Sequence, residues 1–190
     1  SSSIAENAGS SITLTATLSN PTREDVTVSI GTSGSASEGT DYGAISDITI
    51  SSGDTTGTAS FTPTDDNLYE TSTDEIATVS ITGVSGGSAT ESGSQSVTLT
   101  IEENESAPTV TLSTSATSID ENSGSVLTLT ATLSVATTAD VTVTIATSGS
   151  ATEGTDYTDG SGNIDDLVIT AGNTTGTISF KPTDDSVYEG

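Results

Sequence analysis

The 190-residue chain contains no cysteine, histidine, tryptophan or methionine. Without Cys or His it has neither a disulfide framework nor the thiolate and imidazole ligands that zinc prefers. Only Arg23 and Lys181 are basic, against 27 acids, and the formal charge of -25 repels phosphate backbones and anionic headgroups. Nucleic acid is therefore excluded as a partner. Two bases and no His leave nothing to clamp a substrate or stabilise an oxyanion, so no enzyme is expected. Aromatics are only 3% of residues, which leaves no spare rings for stacking sugars and argues against reading paired carboxylates as a glycosidase. No apolar run is long enough for a membrane span or a signal peptide, so membrane insertion is not expected. If the parent protein is secreted, its targeting signal lies outside these residues.

What is present is serine, threonine, glycine and short alternating apolar runs. Ile12, Leu14, Ala16 and Leu18 alternate with Thr13, Thr15 and Thr17, the period of a half-buried strand. The pattern recurs at Val26, Val28 and Ile30, at Ile48 and Ile50, at Ala59 and Phe61, at Ala77, Val79 and Ile81, and at Val97, Leu99 and Ile101. Turn residues such as Asn20-Pro21, Gly53-Asp54 and Gly86-Gly87 separate the runs. Short antiparallel strands with one apolar face bury it by packing two sheets together. The expectation is an all-β chain of immunoglobulin-like sandwiches, each of about seven antiparallel strands.

The chain repeats itself. Residues 3–42 laid over 118–157 give 29 identities in 40 positions. A later loop, Thr64-Asp65-Asp66-Asn67-Leu68-Tyr69-Glu70, returns as Thr183-Asp184-Asp185-Ser186-Val187-Tyr188-Glu189. The first match has an offset of 115 and the second of 119, because the second copy carries a longer insert at 158–163. This predicts two domains, 1–105 and 106–190. The second opens with a strand at 109–113 that has no earlier counterpart, and it has no counterparts of the runs at 75–84 and 94–102. The first domain is thus expected to lack its first strand and the second its last two, supplied either by a longer array or by a neighbouring chain.

The acids Glu6, Asp41, Asp65, Asp66, Glu70, Asp74, Glu75, Glu102 and Glu103 all fall in turns or at strand ends, and alternate turns of an antiparallel sandwich emerge together. Calcium takes six to eight oxygen ligands in irregular geometry and suits such loops. The same acids would also serve as a solvated surface. The duplication separates these readings: Glu121, Asp156, Asp184, Asp185 and Glu189 repeat Glu6, Asp41, Asp65, Asp66 and Glu70, whereas Glu24 and Asp54 have no acidic partner. An EF-hand beginning at Asp159 is excluded, since Ile164 stands where its glycine is required and Thr170 where its closing Glu is. The aromatics also recur, as Tyr42 with Tyr157, Phe61 with Phe180 and Tyr69 with Tyr188, which reads as core and corner positions.

Ser-Ile-x-Glu-Asn, Gly-Thr-Asp-Tyr, a hairpin into Phe-x-Pro-Thr-Asp-Asp-x-x-Tyr-Glu and a strand ending in acids together resemble the Calx-β domain family over nearly the whole chain. That resemblance implies an immunoglobulin-like sandwich, found in sodium–calcium exchangers and in tandem arrays of bacterial surface proteins, with calcium held in the distal loops. Carried over by position, it implies ligands at Glu6, Asp41, Asp65, Asp66, Glu70 and Glu75, with Glu102 and Glu103 as the closing acids. In the second copy it implies Glu121, Asp156, Asp184, Asp185 and Glu189. Calcium sensors of the family close on a run of Asp, where this chain has Glu-Glu-Asn. The expected function is a structural calcium-binding module of a large extracellular or cell-surface protein, an adhesin, sheath or filament, with calcium stiffening the joint between repeats. The expected partners are calcium ions and neighbouring repeats. The alternatives are a filament subunit assembled by strand exchange and a calcium-sensing regulatory module.

Overall fold

The structure is a computed structural model that describes residues 2–70 and 74–185. It separates into two compact units, Ser1–Asp66 with Ser72–Asn104 and Asn67–Thr71 with Glu105–Gly190. No α-helix occurs among the described residues, and both units are built from strands.

The first unit opens with β1 (Ser2–Ala5), β2 (Ile12–Thr17), β3 (Val26–Gly34), β4 (Ile48–Ile50) and β5 (Thr56–Phe61). The short β6 (Leu68–Tyr69) groups with the second unit, and the first is completed by β7 (Glu75–Ser85) and β8 (Ser96–Glu102). One sheet runs β1-β8-β7-β3-β4, and β2 pairs with β5 in the other. Alternation gives each strand one apolar face. Those faces bury Leu14, Val28, Ile50, Phe61, Val79 and Leu99 in a single core. Every strand expected from alternation is present. β1 was not among them, and it pairs with β8 in parallel, Ile4 opposite Ile101, in an otherwise antiparallel unit. The reason lies in chain direction: β1 belongs to one sheet and β2 to the other, so the chain crosses the sandwich between them and no hairpin reverses it.

The second unit contains β9 (Val110–Thr114), β10 (Leu127–Leu133), β11 (Ala136–Thr137), β12 (Val141–Val143), β13 (Tyr157–Thr158), β14 (Leu167–Ile169) and β15 (Thr175–Pro182). Its sheets run β13-β15-β10-β9 and β12-β14, while β11 pairs in parallel with β6. The pairing of β10 with β15 repeats that of β2 with β5, Leu129 opposite Ile178 where Leu14 stands opposite Ala59. Both copies place a glycine where a carbonyl of a neighbouring strand stands close. A Cβ on Gly57 would stand 2.4 Å from the Thr49 carbonyl oxygen, and one on Gly176 would stand 2.5 Å from that of Val168. No other residue fits there. The buried cluster of this unit is small, consisting of Ala131, Leu133, Leu167 and Ile169.

Candidate functional site

The sheet register brings the acids of the first copy to one end of the sandwich. Ala5 pairs with Glu102, Glu75 with Ile101 and Gly34 with Ala77, so the end of β1, the end of β8, the start of β7 and the exit of β3 lie side by side. The loop after β5 joins them through Tyr42, which bridges to Pro63. Beneath this end the Tyr42 and Phe61 rings pack at 4.8 Å between centroids, both almost fully buried. Such a pair contributes about 0.5–1.5 kcal/mol beyond its burial and gives the loops a rigid floor.

Glu6 is the most buried acid, 6% exposed. Its amide donates to the Glu102 carbonyl at 3.1 Å, and its Oε1 accepts the Asp66 N–H at 3.3 Å. A carboxylate oxygen of Glu6 also lies within 4.8 Å of one on Glu103. A second pair, Asp41 with Glu75, is equally close. Asp41, 9% exposed, accepts the Ser37 N–H, and its carbonyl accepts the Thr64 N–H at 3.0 Å. The loops are therefore wired through the acids themselves. Two like charges at 4.8 Å repel by roughly 3.5 kcal/mol at an effective dielectric near 20, and each close pair carries such a repulsion. Oxygen donors alone line this end, with no nitrogen or sulfur ligand anywhere in the chain, a donor set that fits a hard divalent cation.

Not every expected residue is gathered. Asp65 and Glu102 are exposed and stand outside both pairs. Glu70 is half-buried but falls in the segment that groups with the second unit, where its carbonyl accepts the Thr138 hydroxyl at 3.2 Å. Glu105 was missed from sequence. It is half-buried and begins the second unit after Asn104, and its only signal is its place two residues beyond Glu103 in an acidic run.

The second copy repeats three of these bonds. Glu121 Oε1 accepts the Asp185 N–H at 3.0 Å, Asp156 Oδ2 accepts the Thr152 N–H at 2.6 Å, and the Asp156 carbonyl accepts the Thr183 N–H at 2.9 Å. Tyr157 and Phe180 stack below at 4.6 Å. The insert at 158–163 thus absorbs the change of offset without moving the loop off its anchors. Asp184 and Asp185 are exposed, Glu121 and Asp156 half-buried, and Glu189 lies outside the described residues. A depression of 340 Å³ is lined by Glu121 and Asp184 but also by Lys181, a cation where the first copy has Thr62. Within the insert, Asp159 is held below its ordinary pKa of 3.8 by the Ser161 N–H, then the Ser161 hydroxyl and the Gly162 N–H.

A tandem pair of β-sandwiches, each wired at one end by a repeated set of acids, defines the class of the chain. The family model for the Calx-beta domain matches residues 1–105 and again 103–190. The chain belongs to the Calx-beta family, in two copies. Among solved structures, it is similar to the CBD12 region of CALX1.2, at 20% identity and a TM-score of 0.46, over 98% of this chain and 73% of that one. It is similar to the calcium-binding domain CBD12 of CALX1.1 at the same identity and score, over 97% and 73%. A two-domain protein of unknown function from Bacteroides fragilis NCTC 9343 follows at 11% identity and a TM-score of 0.39, over 91% and 75%. No curated protein matches the chain.

Proposed function

We propose that the chain is a structural calcium-binding module of an extracellular or cell-surface protein. The observation that carries this reading is the buried Glu6 carboxylate beside Glu103, with Asp41 beside Glu75 at the same end. Folding assembles like charges there, and a divalent cation offsets their repulsion. In the first unit the ligands would come from Glu6, Asp41, Asp65, Asp66, Glu75 and Glu103, with Glu102 as a further candidate. In the second copy they would come from Glu121, Asp156, Asp184, Asp185 and Glu189. Membership of the Calx-beta family and the calcium-binding domain named among the similar structures support the choice of calcium.

In mechanism, the closing acids Glu102 and Glu103 immediately precede the short segment 104–108 that joins the copies. A cation held there would neutralise the acids and stiffen the segment, and its removal would leave like charges repelling across a flexible linker. Calorimetric titration of calcium into the wild type and into Asp65→Ala/Asp66→Ala tests the binding. Saturable binding that is weakened in the variant is expected, and equal heats from the two proteins would reduce the acids to surface. A dissociation constant near millimolar fits an extracellular structural role, whereas a micromolar one fits a sensor. Small-angle scattering with and without calcium tests the stiffening, which calcium-independent domain spacing would contradict.

A further inference from the structure

We propose that Ser35 is a positioning residue of the first copy's calcium site, a role that rests on calcium binding there: its hydroxyl holds the start of β7 so that the Glu75 carboxylate stays beside that of Asp41. Glu75 opens β7 opposite Ile101, and paired residues project to the same face of a sheet. Ile101 is buried in the core, so Glu75 is aimed inward, at the end of the sandwich where Asp41 stands. Carboxylate oxygens of the two lie within 4.8 Å of each other. Like charges that close push apart, and the backbone beneath them has to resist the repulsion.

The restraint comes from residues 35–37. β3 ends at Gly34, which stands opposite Ala77 with φ +132°. A Cβ there would lie 2.0 Å from the Ile76 carbonyl oxygen, so glycine lets the chain leave the strand this close to β7. Past that point other groups complete the ladder. Ser35 Oγ accepts the Ile76 N–H at 2.8 Å, in the place of a strand carbonyl, and the Ala36 N–H donates to the Ile76 carbonyl at 3.0 Å. Both backbone groups of the residue after Glu75 are thereby held. The Ile76 side chain adds little, being 42% exposed. Ala36 is buried in the core and fixes the segment from below. On its other side the Ser37 N–H donates to Asp41 Oδ2, and the Ser37 carbonyl accepts the Asp41 N–H at 2.9 Å. One three-residue segment therefore grips the Glu75 end of β7 through Ser35 and Asp41 through Ser37.

Ser35 is exposed, so its hydroxyl can be removed without opening a cavity in the core. Its loss frees the Ile76 amide and, with it, the position of Glu75. A ligand held in place beforehand takes an ion without the cost of being ordered, and side chains that orient metal ligands govern affinity nearly as strongly as the ligands do. Removing the hydroxyl should therefore weaken calcium at this end while the sandwich stays folded.

The test is a calcium titration of the full chain and of Ser35→Ala, followed through the amide resonances of residues 34–42 and 75–77, with exchange of the same amides measured in the calcium-free proteins. Ser35→Ala is expected to raise the dissociation constant at this end by about tenfold. Without calcium it should also speed exchange of the Ile76 amide by about tenfold, while amides farther along β7 and β8 keep their protection. Ser35→Thr, which retains the oxygen, should restore both. Ser33→Ala, which removes an exposed hydroxyl from the same strand, should change neither. A Ser35→Ala affinity equal to that of the wild type overturns the proposal and leaves calcium binding standing. Loss of protection throughout β7 and β8 would make Ser35 a residue of the fold rather than of the site, and overturns it too. A wild type whose resonances do not respond to calcium overturns both the calcium reading and the role of Ser35.

Discussion

The run Val-Thr-Val-Ser-Ile-Gly-Thr-Ser-Gly forms nine residues of strand in the first copy, Val26–Gly34, while Val-Thr-Val-Thr-Ile-Ala-Thr-Ser-Gly in the second keeps only Val141–Val143. The sequences differ at two positions in nine. The surroundings differ far more: β3 lies between β4 and β7, whereas among the described residues β12 pairs only with β14. The residues of β3 beyond Ile30 are exposed for the most part and are held by their ladder to β7, Thr32 opposite Val79 and Gly34 opposite Ala77. Among the described residues, 144–149 have no such ladder, and strand propensity alone does not hold them. The same contrast appears at the start of each copy. Ile4 is buried in β1 against β8, while Ile119 is half-buried and the residues after it form a 3-10 turn at Glu121–Ser123. Three bonds of the loop wiring, by contrast, recur in both copies, because their donors and acceptors lie among segments that both possess.

The largest effect should come from the aromatic floor. Phe61→Ala removes a fully buried ring and is expected to destabilise the first unit by about 3–5 kcal/mol. Phe180 is half-buried, and Phe180→Ala should cost the second unit about half as much. Denaturant unfolding followed by a probe in each unit measures both. Equal losses would mean that the second core is as tight as the first.

Next comes a pair of glycines with the same backbone and different neighbours. Gly34 has φ +132° and Gly149 +143°, a region that favours glycine in both. A Cβ on Gly34 would stand 2.0 Å from the Ile76 carbonyl oxygen, whereas one on Gly149 would meet nothing within 4 Å. Gly34→Ala therefore adds a clash to backbone strain and should cost more than about 3 kcal/mol, against about 1–2 kcal/mol for Gly149→Ala. Reversal of that order would break the claim that β7 decides the difference between the copies.

Calcium should separate the copies by a smaller margin. At a hundredfold excess over its dissociation constant, a ligand of the native state stabilises by about 2.7 kcal/mol, and the first unit is expected to gain this much. The second unit should gain less, since Lys181 lines its depression. Lys181→Thr, which restores the residue of the first copy, should tighten calcium binding at Asp184 and Asp185 while leaving the first unit unchanged. Paired titrations read this directly, and an unaltered second affinity would show that the lysine plays no part.

How much could be read from the residues follows the same division. Period-two alternation located β2 to β5, β7 and β8, because each buries one face on a neighbour the sequence also supplies. β1 escaped notice: Ser-Ser-Ile-Ala is too short to alternate visibly, and its pairing with Leu99–Glu102 spans almost the whole unit. Among the acids, Asp41 in Gly-Thr-Asp-Tyr is tied to its own turn and Asp66 in the Asp-Asp loop to Glu6. Pairs set by sheet register were not legible. Nothing in the chain says that Glu103 rather than Glu102 stands beside Glu6, since a one-residue step along a strand reverses the face.

The smallest expected effect tests the insert that only the second copy has. The pKa of Asp159 is lowered in the folded chain, first by the Ser161 N–H, then by its hydroxyl and by the Gly162 N–H. A depressed carboxyl stabilises the fold at pH above its ordinary value of 3.8, and that contribution is lost as the pH falls through the lower folded value. Asp159 lies at the surface and is screened by solvent, so the effect on unfolding will be slight and the resonance of the group is the better reporter. Its NMR titration midpoint should lie below 3.8 and rise in Ser161→Ala, with no matching change in the first copy. All of these bonds lie within 159–162 and none reaches a strand, so this turn should keep its order where β12 has shortened. An ordinary midpoint would mean that even local turn chemistry in the second copy depends on the strands β7 and β8 supply to the first.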